Sequence, residues 1–185
     1  MLKLNLGSHN KRIEGFTNVD VLDLPNVDIR HDLTEFPYPF EDNSVDEILM
    51  EEFLEHIPFR YSVGVLKECH RILKEGGKLS IQVPDIKEMM FAYWNGQICE
   101  CVAHKPKDKA DGMAKLDCPD CKGYGRVHPN RWFYAFVGAQ KHDYDTHRNI
   151  YTPEKMEAEL EEAGFNKIDI GFDEFHWKIK ARATK

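Results

Sequence analysis

Four sets of residues have types and spacings suited to chemistry. Cys99-x-Cys101 and Cys118-x-x-Cys121 supply four soft thiolates in two close pairs, a donor set that suits tetrahedral Zn²⁺. Four protein ligands leave no open position, so that ion would be structural rather than catalytic; free thiols or redox pairing are the alternatives. In "EEFLEHI", Glu52, Glu55 and His56 stand at i, i+3 and i+4, which would project two carboxylates and an imidazole from one helix face as candidate proton carriers. His147, in "HDYDTHRNIY" among Asp143, Asp145 and Arg148, is a candidate base or substrate ligand, with a structural role as the alternative. Finally, "LNLGSHNKRIEGFTNVD" has Gly7 just after one apolar run and Asp20 at the end of the next. A missing side chain at Gly7 would let a ligand approach the backbone, and Asp20 could accept hydrogen bonds from both hydroxyls of a ribose. A tight turn and a surface carboxylate explain that pair equally well.

These residues need a scaffold, and the pattern of the chain describes one. Strand-like runs occur at "LKLNL", "TNVDVL", "VDEILM" and "KLSIQVP", the last with Leu79, Ile81 and Val83 alternating as on a pleated strand. Between the last two runs, Val65, Leu66, Cys69, Ile72 and Leu73 recur at helical spacing before Gly76-Gly77, so a helix with one buried stripe is expected to end at those glycines. Cys69 sits on that stripe as a small core residue. Thr152 as cap, Pro153 at the first helical position, Met156 and Leu160 as the stripe and Gly164 as the stop signal a second helix. "NKIDIGF" and "EFHWKIKARA" then read as an antiparallel strand pair. His70 and His176 fall on polar faces and are expected at the surface.

Strands alternating with helices mean an α/β fold built on one sheet. About ten residues separate the first two strands, near the lower limit for a crossover with a helix, so helices are expected to be missing or reduced in the front half. In an open α/β sheet the ligand crevice lies beyond the carboxyl ends of the strands, where strand order reverses, and the exit loop of the first strand lines it. Gly7 lies on that exit.

The composition sets bounds. A chain of 185 residues is the size of one ordinary domain, and 42% hydrophobic with 31% charged residues is globular rather than disordered. No apolar run approaches the roughly 20 residues that span a bilayer, and Lys3 and Asn5 interrupt the first apolar residues, which argues against a secretory signal. A soluble, cytoplasmic protein with no membrane partner is expected. The net charge of 25 − 32 = −7 argues against broad capture of nucleic acid and leaves only a local basic groove for such a partner.

"LNLGS", "GFTNVD", "VDIRHDL", "PFEDNSVDEILMEEFLEHI", "LKECHRILKEGGKLSIQVPD" and "GFNKIDI" together resemble the ordered motifs of class I S-adenosylmethionine-dependent methyltransferases, over most of residues 2 to 98 and 138 to 182. The resemblance implies a Rossmann-like sheet and S-adenosylmethionine as cofactor. That cofactor has no pyrophosphate, so a turn with His9 and Lys11 where the family carries glycines can still serve it. By analogy with the family, Asn5 and Gly7 lie near the methionine part, Asp20 holds the ribose, and Asp32 with Leu33 flanks the adenine. "GAQKHDYDTHRNIYTPEKMEAELEEAGF" further resembles a small group of predicted methyltransferases, with Gly138, Gln140 and His147 matching its motif. Glu-x-x-Glu-His also resembles the divalent-metal site of some O-methyltransferases, including those acting on ubiquinone precursors and on small-RNA 3′ ends, which implies Mg²⁺ or Mn²⁺ at Glu52, Glu55 and His56. "CPDCKGYG" is similar to a half-site of the cysteine-rich domain of J-domain co-chaperones.

The sequence therefore predicts a single methyltransferase-like domain over 1–185, with reduced N-terminal helices, a C-terminal antiparallel strand pair and a zinc-binding insertion over 99–131 that could dock a protein partner. It would transfer a methyl group to an unidentified acceptor, with His147 and His56 as candidate catalytic residues and Tyr93 and Trp132 as pocket candidates. A fold-retaining scaffold without turnover and a metal-dependent O-methyltransferase acting on RNA or a diol are the competing readings.

Overall fold

In the computed structural model, residues 1–94, 136–138, 140–141, 143–173 and 177–185 are described. The chain divides into two compact units, one formed by Met1–Asp85 with His147–Lys185 and the other by Ile86–Thr146. The first unit is built on seven strands: β1 (Lys3–Leu6), β2 (Thr17–Asp20), β3 (Ile29–Arg30), β4 (Val45–Glu51), β5 (Leu73–Pro84), β6 (Asn166–Asp173) and β7 (Lys178–Thr184). They form one sheet in the order β3-β2-β1-β4-β5-β7-β6. The first five strands run parallel, and β7 is antiparallel to both β5 and β6. The order reverses between β1 and β4, so the crevice beyond their carboxyl ends is the natural ligand site of this sheet.

The alternation read from the sequence is what places the core. Leu4 pairs in register with Ile48 and Leu6 with Val19, while Leu79, Ile81, Val83, Ile179, Ala181 and Ala183 continue the same buried row across β5 and β7. Helix α1 (Phe59–Ile72) buries Val65, Leu66, Cys69 and Ile72, and the helix over Pro153–Glu162, here α3, buries Met156 and Leu160. Those two helices pack together, with Ser62 Oγ donating to Glu159 Oε1 at 3.0 Å. Helix α2 (Ile86–Trp94) opens the second unit and carries Tyr93. No helix occurs between β1 and β4, in keeping with the short connections in the sequence. No described helix is long and apolar enough to cross a membrane.

Local signals set the helix ends. Thr152 accepts the Lys155 N–H at 3.3 Å with Pro153 in the first turn. Gly164, at φ +98°, follows the last turn, where Phe165 N–H donates to the Leu160 carbonyl at 3.1 Å, the left-handed closure that glycine permits. Helix α1 ends earlier than Gly76-Gly77. Leu73 already has extended backbone, is fully buried and pairs with Val45 of β4, so burial of its side chain starts the strand before the glycines are reached. His70 is half-buried rather than exposed, its ring edge-on to Phe165 at 5.1 Å. His176, Trp132 and the four clustered cysteines lie outside the described residues.

Candidate functional site at the strand exits

The β1 exit is shaped by tertiary contact as much as by the turn. Gly7 has φ +69°, and a Cβ built there would stand 2.1 Å from Phe53 Cδ2 and 2.7 Å from Phe53 Cβ. The space expected for a ligand at that position is therefore filled by an aromatic ring from the β4 exit. Beside it, Ser8 is buried and its Oγ has no hydrogen-bond partner. Lys11, in the same loop, pairs with Glu51 at the end of β4, so a charge pair joins the exits of the two strands at the switch point.

Asp20 stands at the end of β2 and is 7% exposed. Its carboxylate accepts the backbone N–H of His9 at 2.8 Å and of Leu22 at 2.9 Å. An ionised carboxylate offers about four lone-pair sites, so hydrogen-bonding capacity remains for a ligand after the loop is held. Asn5 is turned inward: its Nδ2 donates to Asn18 Oδ1 at 2.9 Å and to the Lys11 carbonyl at 3.3 Å. Asp32 closes a local turn by accepting the N–H and hydroxyl of Thr34 at 2.9 and 2.8 Å. Leu33 buries its side chain in the core, and its carbonyl accepts the Tyr38 hydroxyl at 2.9 Å. Gly7 and Asp20 are thus brought together through the loop that joins their strands, while Asn5 supports it from inside.

The β4 exit departs from the helix face expected for Glu52, Glu55 and His56. The strand ends at Glu51, Glu52 takes left-handed backbone at φ +53°, and a short 3₁₀ turn covers Leu54–His56. Glu52 is thereby directed to Lys178 Nζ and Gln82 Nε2, both at 3.3 Å. Glu55 instead goes into the interior at 2% exposure, with Oε2 buried and without a hydrogen-bond partner. Burial, and secondarily the charge of Glu52, push its carboxyl well above the usual carboxylate range.

What sequence reasoning kept apart, the fold joins. The Glu55 carbonyl accepts the backbone N–H groups of Arg148 and Asn149 at 2.8 and 3.0 Å, which fastens the His147 loop to the 3₁₀ turn. The rings of His56 and His147 meet edge to face at 4.9 Å. One donor atom each from Glu55, His56 and His147 lies within 4.8 Å of the others. A framework not foreseen in the sequence holds this loop: Asn149 Nδ2 donates to the Tyr151 hydroxyl at 2.8 Å, and that hydroxyl donates to Glu159 at 3.2 Å. Lys155 Nζ reaches Asn149 Oδ1 at 3.0 Å and Glu159 Oε1 at 2.5 Å. The i, i+4 and i, i+8 relations of Lys155, Glu159 and Tyr151 around the start of α3 were the available signal.

A methyltransferase-domain family model matches residues 12–81. A SAM-dependent methyltransferase of Thermotoga maritima superposes with a TM-score of 0.59 at 15% identity, over 100% of this chain and 82% of that one. The fold is the class I methyltransferase fold. A SAM-dependent methyltransferase of Archaeoglobus fulgidus gives 0.56 at 13% identity, over 99% and 85% of the two chains. Human N-acetylserotonin methyltransferase, in complex with SAM, gives 0.56 at 12% identity, over 100% of this chain and 47% of that one. No curated protein matches the chain in sequence.

Proposed function

We propose that this protein is an S-adenosylmethionine-dependent methyltransferase acting on an unidentified acceptor. The observation that carries the reading is the Gly7-Ser8 turn and Asp20 carboxylate standing together at the exits of β1 and β2, beside the point where strand order reverses. Ser8 Oγ, a buried polar atom without a partner, fits a polar ligand in that turn. In this reading Asp20 takes the ribose hydroxyls with its remaining lone pairs, Asp32 lies on the adenine side, and Ser8, beside the Phe53 ring that covers Gly7, meets the methionine part, while Asn5 and Leu33 hold the wall. S-adenosylmethionine supplies an activated methyl group, transferred by displacement at the sulfonium carbon.

For such a displacement the chain must align the acceptor and, where the acceptor atom carries a proton, receive that proton. In the absence of a bound ion His56 and His147 are suited to this, because their rings meet at 4.9 Å beside a turn fixed by backbone hydrogen bonds. Zinc held by Cys99, Cys101, Cys118 and Cys121 would staple the inserted segment, where a protein partner could dock; elemental analysis showing one zinc per chain supports this, and a metal-free folded chain refutes it. A cytoplasmic location belongs to the same reading.

Calorimetric titration of S-adenosylhomocysteine into wild type and Asp20→Ala tests the cofactor site. Micromolar binding in the wild type and its loss in the variant are expected; equal binding by both would remove Asp20 from the site. The Phe53 ring over Gly7 and the Lys11–Glu51 pair at the crevice favour a second reading, a methyltransferase-fold protein that binds without turnover. Transfer of labelled methyl groups to a cell extract separates the two.

A further inference from the structure

We propose that Glu55, His56 and His147 form a binding site for a first-row transition cation of borderline softness, such as Fe²⁺, Co²⁺, Ni²⁺ or Zn²⁺. The spacing in the sequence pointed instead to two carboxylates and one imidazole, a harder set that includes Glu52. The fold changes the composition. Glu52 turns away to Lys178 and Gln82, and His147 arrives from a distant loop in its place. One carboxylate with two imidazoles suits borderline ions, whereas Mg²⁺ takes oxygen ligands.

The geometry is near closure. Three ligands about 2.0–2.2 Å from one ion lie roughly 3–3.8 Å from one another, and the three donor atoms, within 4.8 Å of one another, need to draw together by about 1 Å. Small side-chain rotations complete the set because the backbone is already in place: Glu55 and His56 share one 3₁₀ turn, and the loop carrying His147 is bonded to the Glu55 carbonyl through Arg148 and Asn149. Glu55 Oε2 supplies an independent sign. It is buried without a hydrogen-bond partner, an arrangement that is costly in a folded protein and that a cation satisfies. Three protein ligands leave open positions, in contrast to the four thiolates of the cysteine cluster. The role of those positions, holding an oxygen or nitrogen of the acceptor near the methyl group, rests on the methyltransferase reading; cation binding does not.

The test is Co²⁺ titration of the purified full chain, followed by visible absorption and calorimetry. Nitrogen and oxygen ligands give d–d bands alone, while thiolates add an intense near-ultraviolet charge-transfer band, so the two donor sets are distinguished. One equivalent of Co²⁺ without the thiolate signature is expected in the wild type, displaced by Zn²⁺ but not by a similar concentration of Mg²⁺. His147→Ala and Glu55→Gln should each bind this equivalent at least tenfold more weakly. Melting of the metal-free variants identifies any loss of fold, and His147→Ala decides the matter if Glu55→Gln does not fold. A wild type lacking this equivalent, a His147→Ala variant that binds it as tightly, or displacement by Mg²⁺ overturns the proposal. Parallel titration with S-adenosylhomocysteine keeps the two readings apart: intact Co²⁺ binding without cofactor binding sinks only the methyltransferase reading.

Discussion

The Phe53 ring packs against Gly7 so closely that a Cβ at position 7 would stand 2.1 Å from ring carbon Cδ2. Gly7 is thus required twice, for its left-handed backbone at φ +69° and for the room its missing side chain gives to Phe53. Left-handed strain costs about 1 kcal/mol or more in a non-glycine residue, and forced overpacking about 1–3 kcal/mol. Gly7→Ala is therefore expected to lose about 2–4 kcal/mol of stability. Adding Phe53→Ala should remove the two ring contacts but leave the 2.7 Å approach to Cβ and the left-handed strain, so a double-mutant cycle by denaturant melting will show partial coupling between the two positions. Additive losses would mean that the ring is not what excludes a side chain.

The Glu68 carboxylate ties α1 to the loop that precedes β4. It accepts Arg71 Nε and Nη2 at 2.9 and 2.8 Å and the Tyr38 N–H at 2.7 Å, while Arg71 also reaches the carbonyls of Phe40 and Tyr38. The hydrogen bonds from Arg71, chiefly, hold its pKa below the ordinary 4.5. A depressed carboxyl pKa stabilises the fold above the unfolded value and ceases to do so as pH falls through the folded one. Glu68→Gln should cost about 1 kcal/mol near neutrality, a fall in Tm of roughly 2–4 °C, and the gap between wild type and variant should close below pH 4.5. Melts from pH 7 to pH 3 check this; parallel pH profiles would refute it.

Much of this architecture was legible because it is local. Thr152, Pro153 and Gly164 mark α3 by their own conformational preferences, and the alternation of Leu79, Ile81 and Val83 marks β5. The start of β5 was less legible: Leu73 fits the helical stripe of α1 equally well, and only its pairing with Val45 makes it a strand residue. Glu52 is a similar case, since nothing in a glutamate announces φ +53°, and that one left-handed residue converts a helix face into a strand end followed by a tight turn. His147 and Glu55 each stood out by type, yet their meeting depends on the loop before α3 returning to the β4 exit, a relation that no local spacing encodes.

Cys69 should be chemically silent in the native protein. It is fully buried on α1, and desolvation, with a smaller contribution from Glu68, raises its thiol pKa far above the usual range. Alkylation requires both access and thiolate, and neither is present. Iodoacetamide at pH 8, followed by peptide mapping, is expected to leave Cys69 unmodified until denaturant is added. Labelling of Cys69 in folded protein at the rate of a free thiol would show that α1 opens locally.

Asp20 allows its structural and ligand roles to be separated. Its two carboxylate oxygens accept the N–H groups of His9 and Leu22, so Asp20→Ala strips both bonds from the loop together with any contact to a ribose. Asp20→Asn is the more informative change. One amide oxygen can still accept one of the two N–H groups, while the amide NH₂ faces the other donor. A stability loss of about 1–2 kcal/mol is expected from the unsatisfied bond. If the carboxylate also accepts ribose hydroxyls, S-adenosylhomocysteine affinity should fall at least tenfold under conditions where both proteins remain fully folded. Thermal melting and calorimetric titration on the same samples provide the check: a destabilised Asp20→Asn that binds with wild-type affinity would leave Asp20 as a loop clamp and move the ribose to other groups of the β2 exit.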